Sequence, residues 1–181
     1  MKLRKGSHNA TGLKFGIVVA KFNKFVTSKL LTSCIEALTK HGVAAEDIEA
    51  VRVPGAFEIP LVARTLAATK RFDAVICLGA VIRGDTPHFD YISTEASRGI
   101  GQAALDADVP IIFGVLTTDT VAQAIERADP GKFNRGGEAA KSAIEMATVM
   151  RMIRGGDGAA PASEAVRGNG AKARPAQRRA K

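Results

Sequence analysis

The sequence of 181 residues predicts an α/β protein, a three-layer α/β/α sandwich built on a four-stranded parallel sheet. Four short apolar runs, rich in β-branched residues, alternate with segments in which apolar residues recur at helical spacing. Regular alternation of strand and helix favours a parallel sheet with helices on both faces. The length suits a single domain of this kind.

The predicted strands are nearly continuous in Val, Ile, Leu or Phe and do not alternate with polar residues. Such runs are typical of strands that are buried on both faces of a sheet. All four strands are therefore predicted to lie in the interior. They cover residues 14–20, 47–53, 73–79 and 110–116.

Five helices are predicted between and after these strands, from apolar residues at helical spacing. The fourth helix begins at Thr118-Asp119 and reaches Ala128. In the fifth helix, Met146 and Met150 are interpreted as core residues. The apolar stripes of the other four are Val26, Leu30, Cys34 and Leu38; Ile59, Val62 and Leu66; Ile92, Ala96, Ile100 and Ala103; and Ala139, Ala143, Met146, Met150 and Ile153.

Glycine, proline and polar residues mark where these helices begin and end. His41-Gly42 ends the first helix, and Pro87 fits the first position of the third, which makes Thr86 its N-cap. Asn134 is the predicted cap of the fifth helix, and Gly155-Gly156 stops it.

Composition divides the chain into a polar arm (1–13), a folded domain (14–154) and a basic tail (155–181) that is predicted to be disordered. The formal net charge is +8, and the tail contributes +4 of it, from six Lys/Arg against Asp157 and Glu164. The domain itself is therefore only mildly basic, which weakens a nucleic-acid-binding role for the fold. For the tail, contact with RNA or another polyanion and a merely solubilising role both stay open.

Cys34 and Cys77 both lie within apolar segments and are interpreted as small buried hydrophobic residues rather than a disulfide. No stretch approaches the ~20 apolar residues of a membrane span. The sequence thus predicts a cytoplasmic protein without membrane contact. In that compartment Arg83-Gly84-Asp85, the tripeptide that integrins bind, is a coincidence.

Ligands of open parallel sheets bind beyond the carboxyl ends of the strands. Phe22 and Asn23 follow the first strand, and the loop after the second (53–58) carries Pro54 and Gly55, which favour an extended path. Such backbone suits the edge of a planar heterocycle, with Phe22 and Phe57 as stacking faces. A rigid connector and partly buried core aromatics are the alternatives that remain open.

The loop after the third strand carries His88 at the start of a helix. Amides around Gly84-Asp85-Thr86 would favour an anion there, although the charge of Asp85 would repel a phosphate. The helix dipole disfavours the imidazolium form of His88, and a neutral imidazole suits general acid–base catalysis. A surface histidine without a catalytic role is the alternative.

Arg127 lies in the last turn of the fourth helix, where it either complements the helix C-terminus or holds an anionic substrate group. Position alone leaves both roles open. No phosphate-binding glycine loop, metal-ligand spacing or Ser/His/Asp arrangement is apparent. A reaction that needs neither cofactor nor metal fits this pattern.

Residues 12–154 resemble the 6,7-dimethyl-8-ribityllumazine synthase family (riboflavin synthase beta-chain family). The resemblance rests on "FGIVVAKFN", "VRVPGAFEIP", "LGAVIRGDTPHFDYI", "FGVLTTDTVAQAIERA" and "GGEAAKSAIEM", in that order. It implies a flavodoxin-like fold of the lumazine synthase type. It also implies condensation of 5-amino-6-(D-ribitylamino)uracil with 3,4-dihydroxy-2-butanone 4-phosphate, which releases phosphate and water without cofactor or metal.

The resemblance also assigns roles to individual residues. His88 would transfer protons, and Phe22 would stack on the pyrimidine. Phe113 and Arg127 would reach the site across a subunit boundary, and Arg127 would hold the phosphate. The remaining substrate contacts would come from Ala56, Phe57, Glu58, Ala80, Val81, Ile82, Asp85 and Thr86.

Relatives in this family form pentamers with active sites between neighbours, and some form icosahedral shells. The segment "ADPGKFNRGG" after Arg127 departs from shell-forming relatives, so pentamer and shell both stay open, as does a second phosphate cation from Lys132 or Arg135. The product would pass to riboflavin synthase. A catalytically weak flavin or lumazine carrier is the alternative function.

Overall fold

A computed structural model describes residues 1–155 of the protein. The predicted disorder of the basic tail, and Gly156 as part of the helix stop, fall outside the described residues.

The core of the fold is a four-stranded, entirely parallel sheet. Its strands are β1 (Phe15–Ala20), β2 (Ile48–Val53), β3 (Ala74–Ile82) and β4 (Ile111–Thr118), in the spatial order β2-β1-β3-β4. Register places Ile17 of β1 between Ala50 of β2 and Ile76 of β3. The predicted four-stranded parallel sheet is confirmed.

Helices cover both faces of this sheet, which confirms the three-layer sandwich. Side chains of successive strand residues point to opposite faces: Ile17 and Ile76 pack with one helical layer, and Val18 and Cys77 with the other. The first layer contains α1 (Lys24–Lys40), α4 (Val121–Ala128) and α5 (Arg135–Gly155), and the second contains α2 (Ile59–Ala68) and α3 (His88–Ala107).

The two inner strands and the two edge strands differ in burial. β1 is buried throughout and β3 nearly so, as predicted. For the edge strands β2 and β4 the prediction of full burial is wrong, because Ala50 and Arg52 of β2 and Phe113 and Thr117 of β4 are exposed. An apolar run therefore does not show by itself whether both faces of a strand are covered by the chain.

Two of the predicted helix starts are displaced. α3 begins at His88 after Pro87, with no side-chain cap, so Thr86 is not the N-cap. α4 is capped by Thr120, whose hydroxyl accepts from the Gln123 amide in a capping box, and not by Thr118-Asp119. Asn134 does cap α5, and its side-chain oxygen accepts from the Gly137 amide at 3.1 Å.

The prediction that methionines of α5 form core packing is wrong for Met146, which is 41% exposed, and Ile153 at the same stripe is 54% exposed. Met150 is half-buried. The stripe that α5 buries consists mostly of glycine and alanine. Small residues let the backbone of α5 approach the rest of the fold closely. The prediction was wrong because the larger apolar residues, which also recur at helical spacing, lie on the outer face of the helix.

Gly136 shows how close α5 lies to α1, since a Cβ atom added there would be 2.2 Å from the Leu30 carbonyl oxygen. Gly136→Ala is expected to lower the free energy of unfolding by about 1–3 kcal/mol, because the helices would have to move apart. Gly101 in α3 is the matched control, because an added Cβ meets nothing within 4 Å. Gly101→Ala should raise that free energy by about 0.5–1 kcal/mol.

Denaturant unfolding of both variants measures these changes in the free energy of unfolding. Equal changes of the same sign in the two variants would contradict the close approach of α1 and α5.

The arm predicted for residues 1–13 packs on the domain. Ala10 and Leu13 are buried, and the Ala10 amide donates to the His41 carbonyl at 2.9 Å. The Ser7 amide donates to Thr148 Oγ1 of α5 at 3.0 Å. The arm therefore joins the ends of α1 and α5.

Cys34 and Cys77 are buried and unpaired, as predicted. Burial raises the pKa of the Cys34 thiol to about 12 and also raises that of Cys77. Both are therefore neutral thiols that serve as packing groups in the folded chain. None of the helices among residues 1–155 combines the length and apolar character that crossing a bilayer requires.

Candidate active site

A cleft of about 560 Å³ opens beyond the carboxyl ends of β1, β2 and β3. Three loops wall it, one after each of these strands. Most of the predicted site residues come together here. The predicted residues that line the cleft are Phe22, Ala56, Phe57, Glu58, Ala80, Val81, Ile82, Thr86 and His88.

The first loop is held by backbone hydrogen bonds to the second. The Phe22 amide donates to the Pro54 carbonyl at 3.0 Å. Asn23 adopts a left-handed conformation, with φ of 54°, and its side-chain amide donates to the Ala80 carbonyl at 2.9 Å. Asn23 thereby ties the first loop to the end of β3 and leaves the Phe22 ring 71% exposed at the cleft. Asparagine tolerates positive φ better than most residues, which is a signal in the sequence for such a turn.

The second loop closes on itself through Glu58. Its carboxylate accepts a hydrogen bond from the Gly55 amide at 2.8 Å, and the Pro54 carbonyl accepts from Phe22. These two backbone groups of the segment are therefore bonded outside the sheet ladder. Phe57, on the same loop, is 57% exposed. The loop presents an aromatic side chain and a fixed carboxylate to the cleft.

The third loop joins β3 to α3 and differs from the second in its hydrogen bonding. Among residues 1–155, no acceptor is present for the amides of Gly84, Asp85 and Thr86. Gly84 and Thr86 line the cleft, whereas Asp85, which is exposed, is not among the lining residues. His88 is the first residue of α3, is exposed and lines the cleft. Free amides beside an exposed imidazole suit an anionic substrate that undergoes proton transfer.

Arg83, at the start of this third loop, was not identified as a site residue from the sequence. Its guanidinium donates to Asp119 at 3.0 Å and to Asp90 at 3.2 Å, and lies 4.1 Å from the centre of the Phe89 ring. Hydrogen bonding to Asp119, with a further contribution from Asp90, raises the pKa of Arg83. The two carboxylates are thus held by one permanently charged group.

Arg127 and Phe113 do not line the cleft described above. They line a second cleft of about 430 Å³ along β4, beside α4 and the start of α5, together with Arg135. Both arginines lie near the ring of Phe133, at 5.6 Å and 5.9 Å from its centre. Lys132 is instead paired with Glu126 at 3.1 Å. One chain therefore carries an aromatic and cationic surface apart from its own His88.

Residues 12–151 match the family model of 6,7-dimethyl-8-ribityllumazine synthase. The match includes the three loops of the first cleft and the arginines of the second. The chain belongs to this family. It is therefore an enzyme of the transferase type that acts in riboflavin biosynthesis, and its reaction is the condensation of the ribitylamino uracil with the butanone phosphate.

Proposed function

We propose that this member of the family binds its two substrates side by side in the cleft beyond β1, β2 and β3. The ribitylamino uracil lies between Phe22 and the second loop, because an exposed aromatic ring and fixed polar groups suit a planar heterocycle. The phosphate ketone lies at the third loop, where the amides of Gly84, Asp85 and Thr86 are free within the described chain. The convergence of three loops on one cleft supports this arrangement.

His88 is the group that moves protons in this proposal. The amino group of the uracil attacks the ketone carbonyl, and loss of water leaves an imine. Elimination of phosphate then requires a proton to leave carbon. The enol that results tautomerises to a ketone, and ring closure by the ribitylamino nitrogen requires a proton to return to the ketone oxygen, which leaves as a second molecule of water. His88 lines the cleft beside the loop assigned to the phosphate, so one imidazole serves both transfers. The remaining contribution of the chain is to hold both substrates in reactive contact.

The second half of each active site comes from a neighbouring copy of the chain. Phe113, Arg127 and Arg135 line their own cleft and are exposed or half-buried in a single chain. A neighbour that places this surface over the His88 cleft supplies the positive charge that a departing phosphate needs. Arg135 is the second cation in this proposal, because Lys132 already pairs with Glu126. The assembly is a homo-oligomer, for which we propose the pentamer.

Asp85 and Thr86 take different parts in this site. Thr86 lines the cleft and contributes its amide and hydroxyl to the phosphate end. Asp85 is exposed and contributes its amide, with its carboxylate directed to solvent or to the neighbour. The product passes to riboflavin synthase in the cytoplasm.

Kinetics of Phe22→Ala test the assignment of the two halves of the cleft. Loss of a stacking face worth about 1–3 kcal/mol is expected to raise the KM for the uracil on the order of tenfold, with the KM for the phosphate ketone nearly unchanged. Phe25 is the control, since it is 49% exposed on α1 and outside the cleft. Equal effects of Phe22→Ala on both KM values would contradict the assignment. Ligand binding without turnover by the unmodified chain would favour a carrier.

A further inference from the structure

Arg83, the first residue after β3, connects the end of β4 with the first turn of α3. Its amide donates to the Thr118 carbonyl at the end of β4, at 2.9 Å. Its side chain reaches Asp119, one residue beyond β4, and Asp90, in the first turn of α3. The guanidinium also covers the Phe89 ring at 4.1 Å. The end of β4 and the first turn of α3 are thereby fixed relative to each other.

The residues held in this way flank the groups assigned to catalysis. The loop from Gly84 to Pro87 has no amide hydrogen bond at residues 84–86 within the described chain, so little in its own backbone fixes its path. His88 follows directly and makes no side-chain hydrogen bond among residues 1–155. The position of His88 in the cleft therefore depends on the position of the first turn of α3. Arg83 contacts Phe89 and Asp90 in that turn.

We propose that Arg83 is a positioning residue, which sets the place of Thr86 and His88 in the cleft by holding the first turn of α3 against the end of β4. The proposal rests on the function assigned to the cleft above. Arg83 itself does not line the cleft and touches no substrate in this scheme. An arginine suits this role better than a lysine, because a planar guanidinium can bond two carboxylates and stack on a ring at once, whereas the ammonium of lysine is a point charge without a plane to stack.

Arg71 provides a matched control at the opposite end of the sheet. It pairs with Glu49 at 2.9 Å, and its guanidinium lies 4.8 Å from the centre of the Phe72 ring. Both arginine side chains are about half exposed, 43% for Arg83 and 57% for Arg71. Arg71→Gln therefore removes a comparable ion pair and ring contact at a site distant from His88.

The experiment compares Arg83→Gln, Arg83→Lys and Arg71→Gln in two measurements. In turnover, Arg83→Gln is expected to lower kcat on the order of 10- to 100-fold, because small misplacement of catalytic groups has effects of that size. The KM for the uracil should change little. Arg83→Lys should recover only part of the loss, and Arg71→Gln should leave kcat unchanged. Equal losses in Arg83→Gln and Arg71→Gln would overturn the proposal.

The second measurement does not depend on turnover and uses the fact that the chain has only three histidines. With carbon-labelled imidazole, Arg83→Gln should shift the NMR signal of His88 and leave those of His8 and His41 in place. Arg71→Gln should shift none of the three. An unmoved His88 signal would overturn the proposal even if the wild type proved inactive. Should Arg83→Gln not fold, Asp119→Asn removes one of the two carboxylate contacts, and the same outcomes apply.

Discussion

His88→Ala is expected to lower kcat by about 100-fold or more, because general acid–base groups contribute roughly 10²–10⁴-fold to rate. The side chain is exposed and makes no hydrogen bond within residues 1–155, so its removal leaves no buried polar group unpaired. Thermal unfolding should therefore occur at the same temperature as in the wild type. The KM for the uracil should also change little, since the proposed arrangement places the uracil against Phe22 and the second loop and not against His88.

Steady-state turnover, followed by the fluorescence of the lumazine product, measures this effect. His8→Ala is the control, because His8 is also exposed but lies on the N-terminal arm, 5.6 Å from the ring of His41. A decrease in kcat of less than about threefold in His88→Ala would contradict proton transfer by this residue. A similar loss in both variants would assign the effect to general damage.

The fold could be predicted from the apolar strands and from the order in which strands and helices follow one another. Four β-branched runs, separated by helical repeats, leave few arrangements other than a parallel sheet covered on both faces. The exposure of Phe113 could not be predicted in this way, because an exposed edge strand can be as apolar as a buried one. The prediction that Met146 of α5 is a core residue was wrong for a similar reason. Met146 has the spacing of a core residue but is exposed.

The candidate site was predictable where it depends on which residues follow strand ends, and not where it depends on which strands are neighbours and in what register. Phe22, Ala56 and His88 each follow a strand of one parallel sheet, which brings them to one edge. Arg83 meets Asp119 across a separation of 36 residues. Both residues directly follow neighbouring strands, one position beyond the paired Ile82 and Thr118, so the register of β3 against β4 brings them together. That register, and the third partner Asp90, could not be predicted from the sequence.

His88 and Arg127 line different clefts of one chain, and the proposed sharing of sites between neighbours leads to a complementation experiment. His88→Ala and Arg127→Ala chains are each expected to be nearly inactive when assembled alone. In a mixed oligomer, a site formed by the His88 of one chain and the Arg127 of its neighbour can be intact. If chains mix at random, about a quarter of the sites contain both residues, because each chain type occupies about half of the positions.

Co-expression of the two chains with different tags, and purification through both, provides the mixed oligomers. Their turnover is expected to approach a quarter of the wild-type value, far above that of either variant alone. His88→Ala mixed with Phe22→Ala is the control, assayed at low uracil concentration. Phe22 and His88 line one cleft of one chain, so no mixed site has both and activity should stay low. Activity restored equally in both mixtures, or in neither, would show that Arg127 does not act across a subunit boundary.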